Sequence, residues 1–543
     1  MSKNNSEAVK FLLQGNFLYE KGRHCEALLS YNRSLCLAES ATQIASVCYG
    51  KRSLVYFDLK EYELCLANIE LAKQHSTGEV VKFDDLKSQC FERMKTHRHA
   101  VDEDPMNFFQ LTYPANAKLP CLSDCLELRV NKKFGRHIIS TRNLNVGDIV
   151  AVTEFSFIFF DKRARLHHCS HCTKSSTKLN LIPCSGCAKA MYCSTECMTK
   201  DKNKFHQYEC GINDNPEDQH IDFNPLKIFV HILDQFDGNV AEMKKFLDAN
   251  RKPKTVFDFD FSNKDDPMFE KNMILATLSM SHAMNCAEMG RFHCLTTHHR
   301  FIVKHPKLLS LWMSPQKQYL DELLCKFLDV EDVKGLVSCF VEIDINLKED
   351  GYDLIDAKTD TATKVDNTYI NRVASVIDPY LSLLNQSCFP NVSVKFVNNK
   401  HVWIVIRPVK AGEQLFMFRG PGIKYVTPRV QRQQMMLEYF GFRCDCDGCV
   451  NNWPTQQKMK RLNDSERLAL SFEKLQLNPA IDESQSKAYA EYVNFATKIQ
   501  AMAKHYPCWD SILLEHNWMF NIYRLAQPAK WFNSNESVAG ASK

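Results

Sequence analysis

The sequence is poor in glycine and proline, and it lacks both a long hydrophobic run and an excess of one charge. Its 543 residues include 18 Gly and 19 Pro, too few for a collagen-like or long disordered chain. No stretch of 18 apolar residues occurs, so we expect no membrane-spanning helix. The polar start, MSKNNSEAVK, predicts no signal peptide. The formal net charge of +4 gives no reason to expect non-specific binding to nucleic acids or membranes.

Cysteine, in contrast, is abundant. The chain has 23 cysteines, and an odd number excludes complete internal pairing into disulfides. We therefore expect an intracellular, reduced protein whose cysteines bind metal or lie in hydrophobic cores. The length predicts three or four domains of roughly 100 to 200 residues each.

The N-terminal part is predicted to form helices with a repeated pattern. Small and aromatic residues that allow helices to nest recur 38 positions later: Gly15, Ala27, Tyr31 and Ser34, then Ser53, Cys65, Ile69 and Ala72. The spacing resembles the tetratricopeptide consensus, with a helix from Phe83 to Lys95 capping the pair. An ordinary amphipathic bundle is the alternative. Of the residues that clamp a peptide carboxylate in that repeat class, Asn16 fits but Leu12 and Lys51 do not, so such a clamp is incomplete.

Patterns in the rest of the chain separate strands from helices. A charged stretch, His97–Asp104, ends at Pro105 and is interpreted as a linker. Strand-like segments accompany turns: Ile149–Val152 and Glu154–Phe160 after Val146-Gly147-Asp148, and His401–Phe418 around Ala411-Gly412-Glu413. Helical patterns cover about Asn224–Cys339 and Arg461–Gln527.

Eight soft metal ligands lie within 42 residues as four closely spaced pairs. They are Cys169, Cys172, Cys184, Cys187, Cys193, Cys197, His206 and Cys210. Four such pairs predict two closed tetrahedral zinc sites, which are structural because no position remains for a substrate. So short a segment buries little apolar area, so metal ligation must supply much of its folding free energy, on the order of 10 kcal/mol per zinc.

A second cysteine cluster lies far downstream. Cys444, Cys446 and Cys449 offer three ligands and need a fourth. Cys388, within Asn385-Gln386-Ser387-Cys388-Phe389-Pro390-Asn391, is the candidate, and a buried core thiol is the alternative. Spacing alone does not decide between them.

The order of the first cluster, with Tyr192 just before Cys193, resembles a MYND finger. That resemblance implies interleaved pairs, with His171 as a bystander. One metal would bind Cys169, Cys172, Cys193 and Cys197, and the other Cys184, Cys187, His206 and Cys210.

The downstream motifs resemble a SET domain with its post-SET zinc loop. They are the Asn385–Asn391 segment, Gly412-Glu413 and the terminal cysteines. A MYND finger inserted into a split SET domain is similar to the SET and MYND domain-containing lysine methyltransferases. The N-terminal repeats and Gly420-Pro421 favour the subgroup of SET and MYND domain-containing protein 4.

This resemblance implies an α+β fold with a β-rich SET core, including a knot-like crossing near the Asn385–Asn391 segment. A MYND finger and a helical insert split the core, and tetratricopeptide-like and C-terminal helices flank it. The implied parts are repeats 1–97, linker 98–117, SET N-terminal part 118–165, finger 166–212, helical insert 213–335, SET C-terminal core 336–425, post-SET loop 426–452 and C-terminal helices 453–543.

The resemblance also implies a site for S-adenosylmethionine and a third zinc. Cofactor-binding positions are Lys133, Phe134, Gly135, Arg136, His137, Asn385, Gln386 and Phe442. His137 replaces the usual second glycine, and Gln386 replaces the usual histidine. Cys388 becomes the fourth ligand of the third zinc, beside Cys444, Cys446 and Cys449. The remaining twelve of the 23 cysteines then need only be reduced thiols.

The sequence departs from the family at the catalytic tyrosines. Arg419 and Phe440 occupy the two usual tyrosine positions, and Tyr425 is a potential substitute. Arg419 would bring a permanent positive charge near a sulfonium and an incoming amine.

Three functions follow from these motifs. The first is an S-adenosylmethionine-dependent protein-lysine methyltransferase, an enzyme. The second is a catalytically impaired scaffold that recruits proteins. A DNA-binding zinc finger is disfavoured, because the spacing is not of the C2H2 type and no basic stripe accompanies it. We expect protein partners that contact a lysine channel, the finger and the repeats, no nucleic acid or membrane, a monomer, and a cytoplasmic or nuclear location.

Overall fold

A computed structural model describes residues 3–39, 42–76, 83–96, 105–155, 157–160, 162–174, 178–207, 210, 224–278, 309–310, 313, 318, 320, 337–344, 369–397, 399–418, 427–440, 442–469 and 485–526. The chain divides into two compact units. The first contains residues 1–103, 160–221 and 528–543, and the second contains 104–159 and 222–527.

Helices and strands both occur, as the α+β prediction requires. The helices are α1 (Asn5–Glu20), α2 (His24–Leu37), α3 (Gln43–Asp58), α4 (Tyr62–Gln74), α5 (Asp84–Thr96), α6 (Thr195–Asp201), α7 (Asn224–Asp234), α8 (Val240–Ala249), α9 (Phe269–Leu278), α10 (Arg429–Phe440), α11 (Asp447–Val450), α12 (Asp464–Ala469), α13 (Gln485–Met502) and α14 (Trp509–Ala526). The strands are β1 (Leu126–Asn131), β2 (Gly135–Ser140), β3 (Ile149–Glu154), β4 (Phe157–Phe160), β5 (Ile182–Pro183), β6 (Met191–Tyr192), β7 (Val337–Asp344), β8 (Tyr369–Ile377), β9 (Asn385–Gln386), β10 (Val392–Val397), β11 (Lys400–Val405) and β12 (Phe416–Met417).

In the first unit, α1 and α2 pack closely at Gly15. A Cβ there would lie 2.5 Å from the Tyr31 ring, so only glycine permits this approach. Asn4 caps the start of α1 by accepting a hydrogen bond from the backbone N–H of Glu7. Helix α5 covers the segment that the sequence predicts to be the capping helix.

In the second unit, β10, β11 and β3 form an antiparallel sheet in that order. Side chains of β11 alternate between two cores. Val402 and Ile404 share one core with Trp518 of α14, whereas Trp403 and Val405 lie in another. This alternation is the period of two expected for a strand buried on both faces.

Further strand pairings shape the second unit. β1 and β2 form an antiparallel hairpin, β7 pairs antiparallel with β8, and the short strands β9 and β12 pair in parallel. The two predicted turns contain Gly147 with φ +95° and Gly412 with φ +85°, backbone angles that favour glycine.

The predicted helical stretch is wrong at its end, because Cys339 lies in strand β7. Its apolar run has the β-branched and aromatic composition of a strand, VSCFVEID. Helices α7, α8 and α9 occupy its beginning, and most of 279–336 lies outside the described residues. The predicted linker His97–Asp104 lies outside them too.

Candidate metal centres and the adjoining loop

Four cysteines converge in the first predicted metal site. The ligand atoms of Cys169, Cys172, Cys193 and Cys197 all lie within 4.8 Å of one another. The Sγ of Cys193 is 3.7 Å from that of Cys172 and 3.6 Å from that of Cys197. Ser194 caps α6 by accepting a hydrogen bond from the N–H of Cys197, which fixes the turn between two ligands.

The second site contains Cys184, Cys187, His206 and Cys210, also within 4.8 Å. The His206 Nε2 lies 3.1 Å from the Sγ of Cys184 and 3.5 Å from that of Cys187. A Cβ on Gly186 would lie 2.5 Å from the Sγ of Cys210, so a side chain there would collide with a ligand. His171 belongs to neither group; its Nδ1 lies 3.9 Å from Asp201.

The third site joins Cys388 to Cys444, Cys446 and Cys449. The Sγ of Cys388 lies 3.6 Å from that of Cys449 and 3.8 Å from that of Cys444. Cys388 is fully buried, yet it lies beside three thiols. The ligand interpretation, rather than an isolated core thiol, agrees with this placement.

Hydrogen bonds between thiols favour a thiolate in the first two groups. Bonds from Cys169 and Cys172 lower the pKa of Cys193 to about 4. Bonds from Cys187 and Cys210 lower the pKa of Cys184. The thiolate is the form that binds metal. Each group offers four soft ligands, so it can hold a structural ion and leaves no coordination position open for a substrate.

The predicted cofactor loop is the turn of the β1–β2 hairpin. Asn131 holds it, because its Oδ1 accepts hydrogen bonds from the N–H groups of Lys133 and Phe134. Gly135 has φ +62°, and no heavy atom lies within 4 Å of where its Cβ would stand. Hydrogen bonds to Asn131 therefore hold the start of the loop, and the space beside Gly135 is open.

The structure brings this loop to the Asn385 segment. The Asn385 Nδ2 donates to the Phe134 carbonyl at 3.1 Å, and the ring of Phe416 lies 5.7 Å from that of Phe134. Because β9 pairs with β12, Asn385 is opposite Phe416 and Gln386 is opposite Met417.

The loop also contacts the third cysteine group. The Lys133 Nζ lies 3.0 Å from the Asp445 carboxylate, between two of the cysteines. The side chain of Phe442 is 39% exposed. His137 is buried, and its Nδ1 lies 2.9 Å from the Gly135 carbonyl, so it braces the loop from within. Arg136, in β2, pairs with Val130 across the hairpin.

A buried polar trio supports the segment before Asn385. One Asp378 carboxylate oxygen accepts hydrogen bonds from Thr153 Oγ1 and His401 Nδ1, both at 2.6 Å. The other accepts from the N–H groups of Tyr380 and Leu381. The trio ties β3 and β11 to the turn that leads to β9.

Of the predicted catalytic positions, Arg419 and Tyr425 lie outside the described residues. Phe440 is the last residue of α10.

Sequence reasoning missed several supporting residues. The ion pair between Lys133 and Asp445 carries no local signal in the sequence. Gly186 and Gly448 each precede a cysteine ligand, and glycine in that position is a usable signal for close packing.

Comparisons with known proteins first define a class. A family model described as "MYND finger" matches residues 169–210, the segment that holds the first two ligand groups. The chain thus contains a MYND-type finger.

Particular relatives extend the similarity along the chain. "Protein-lysine N-methyltransferase SMYD4" of Danio rerio is 22% identical over 524 residues, covering 83% of this chain and 66% of that protein. The Homo sapiens SMYD4 protein is 21% identical, covering 83% and 67%. "N-lysine methyltransferase SMYD2" of Rattus norvegicus is 21% identical and covers 68% of each chain. The resemblance to the SET and MYND domain-containing family, with its SMYD4 subgroup, is confirmed, and the chain spans about two thirds of the SMYD4 relatives' length.

A solved structure described as "Crystal structure of the SET domain of LSMT bound to Lysine and AdoHcy" aligns with 77% of this chain and 88% of its own, at 8% identity and a TM-score of 0.21. That score is too low to support a conclusion. Within the described residues, every helix is too short or too polar to cross a membrane.

Proposed function

We propose that this protein is an S-adenosylmethionine-dependent protein-lysine methyltransferase built on a SET core with an inserted MYND finger. The observation that carries the proposal is the meeting of the Lys133–His137 loop with Asn385 through the 3.1 Å hydrogen bond to Phe134. The names of the relatives agree with it.

The residues present fit the cofactor at Gly135. A positive-φ glycine with open space beside it lets a ligand approach the loop backbone. The loop, Asn385, Gln386 and Phe442 would hold the methionine and adenine ends. When bound, S-adenosylmethionine would supply the methyl group to a neutral lysine amine.

We further propose that the three ligand groups hold three zinc ions. Thiolate and imidazole ligands in sets of four suit zinc. Zinc in the third site would fix Asp445 and hence, through its ion pair, Lys133. A structural ion would thereby support the cofactor loop.

A second candidate is a scaffold with impaired catalysis. Arg419 and Phe440 occupy the positions where the family resemblance places tyrosines. Loss of one such hydroxyl would cost a few kcal/mol in the barrier, and each 1.4 kcal/mol is about tenfold in rate. Partners would then bind the finger or the N-terminal helices α1–α5 without being methylated.

Cofactor binding is tested first by thermal unfolding. S-adenosylmethionine at 100 times its dissociation constant should stabilise the wild type by about 2.7 kcal/mol. Asn385→Ala should lose this shift, because the loop loses its anchor. Asn451→Ala, an exposed asparagine near the third cysteine group, should retain it. No shift for the wild type at millimolar cofactor would refute both the enzyme and a cofactor-binding scaffold.

Catalysis is tested next with labelled cofactor and a cell lysate. Labelled protein with the wild type, lost in Asn385→Ala, supports the methyltransferase. A wild type that binds cofactor without labelling any protein, while Arg419→Tyr labels, supports the scaffold.

A further inference from the structure

Helices α2, α3 and α4 present buried polar side chains on one face. Asn32, Arg52 and Asn68 are each 0% exposed, and Glu61 is 6% exposed. Burying such groups is costly unless hydrogen bonds satisfy them. We call this surface, with the Tyr56 hydroxyl, the α2–α4 face.

The partner of this face is a short segment of the finger, Lys178–Leu181, here called the KLNL segment. It lies in sequence between Cys172 and Cys184, in the loop that separates two ligand pairs. Three of its four backbone carbonyls accept side-chain hydrogen bonds: Lys178 from Tyr56 at 2.8 Å, Leu179 from Asn32 at 2.9 Å, and Leu181 from Arg52 at 2.9 Å.

Its polar side chains are matched as well. The Lys178 Nζ lies 3.0 Å from the Glu61 carboxylate. The Asn180 Oδ1 accepts from Asn68 at 3.1 Å and from Arg52. The guanidinium of Arg52 stays aligned by lying over the Tyr56 ring, 5.8 Å from its centroid.

The two leucines fill apolar space. Leu179 is 0% exposed and belongs to the core formed by the N-terminal helices. Its φ is +53°, a left-handed conformation that non-glycine residues rarely adopt, so the surrounding contacts must hold it there. Leu181 is equally buried, in a cluster with Cys36.

These contacts match the backbone carbonyls of a segment that turns at the left-handed Leu179, together with a basic, an apolar and an amide side chain. We propose that the α2–α4 face is a peptide-binding site for segments of the type Lys-Leu-Asn-Leu, and that the finger's own KLNL segment occupies it. An external peptide of this type binds only when the KLNL segment leaves. Peptide binding to the N-terminal helices is thereby coupled to release of the finger's KLNL segment. This inference does not depend on methyl transfer.

The test uses the full-length chain and a fluorescein-labelled peptide with the sequence of residues 178–183, followed by fluorescence anisotropy. The wild type should bind it negligibly. Lys178→Glu with Leu179→Asp dislodges the segment without altering the face, and should bind the peptide at least about tenfold more tightly. Lys174→Glu, an exposed lysine in the same loop, should behave as the wild type. The peptide carrying alanine at the positions of Leu179 and Asn180 should not bind.

Two results would overturn the proposal. One is a wild type that binds the peptide as tightly as the dislodged variant. The other is a dislodged variant that unfolds cooperatively but binds the peptide no better than the wild type, or binds the alanine peptide equally well. Leu179→Ala, a milder change, provides the same comparison if the charged variant does not fold.

Discussion

The ring of Phe389 packs directly on the backbone of Gly448, where a Cβ would stand 2.1 Å from the ring carbons Cδ2 and Cε2. Phe389 follows Cys388 and Gly448 precedes Cys449, so the contact joins two segments whose sulfur atoms are 3.6 Å apart. The ring of Trp453 completes the packing at 4.7 Å from that of Phe389. The third ligand group therefore depends on a close approach that only glycine permits.

Gly448→Ala should destabilise the protein by roughly 1–3 kcal/mol, because the methyl group must displace Phe389. Urea denaturation measures the change as a lower midpoint with an unaltered slope. Val450→Ala provides the matched control in the same short helix; Val450 is 65% exposed, so its truncation should stay within about 0.5 kcal/mol. Equal midpoints for the two variants would mean that Phe389 yields freely.

Metal content should reach three zinc ions per chain, measured by elemental mass spectrometry. Cys388→Ser should lower it to two, because only the third group loses a ligand. Cys90→Ala should leave it at three, since Cys90 is buried but lies in none of the three ligand groups. A wild type with two ions, or a Cys388 variant with three, would contradict the assignment of Cys388.

The ligand pairs could be predicted from the sequence because their chemistry is local. Two thiols separated by two residues, such as Cys169 and Cys172, reach one metal whatever the rest of the chain does. The fourth ligand of the third group is different, because spacing alone does not select Cys388 and only the family resemblance favours it. Its placement beside Cys449 depends on a contact between residues 61 positions apart.

The α2–α4 face could not be predicted in this way. Asn32 and Arg52 look like ordinary polar residues of amphipathic helices, and their partners lie more than 100 positions away. Helical periodicity predicts which side of a helix is buried but not what covers it. One signal is available in the sequence. The charged Arg52 lies between Tyr49 and Tyr56 at helical spacing, on the buried side of α3.

Asp378→Ala should destabilise the second unit by about 3–5 kcal/mol, because it leaves buried donors on His401 and Thr153 without their acceptor. Thr153→Val removes one donor and keeps the carboxylate bonded to His401, so it should cost only about 1 kcal/mol. Chemical denaturation separates the two values. If the variants proved equally stable, the carboxylate would not be the centre of the trio.

The ion pair at the end of β3 predicts a pH-dependent stability. Burial alone would raise the pKa of Glu154, but the hydrogen bond and charge of Lys264, with the charge of Lys400, lower it below its usual value of 4.5. The Lys264 Nζ lies 2.8 Å from the carboxylate, and both side chains are about half exposed or more, at 65% and 48%. Solvent screening therefore limits the contribution to about 1 kcal/mol or less.

Because the folded-state pKa is depressed, this stabilisation is present above the unfolded value of 4.5 and is lost as the pH falls through the folded value. Lys264→Met should thus be less stable than the wild type at neutral pH by a few tenths to about 1 kcal/mol. The difference should diminish in strongly acidic buffer and at high salt. Lys252→Met, an exposed control, should match the wild type at both pH values. A difference that persists in acid would assign the effect of Lys264 to its methylene packing instead of its charge, as free energies of unfolding from urea titrations at the two pH values would reveal.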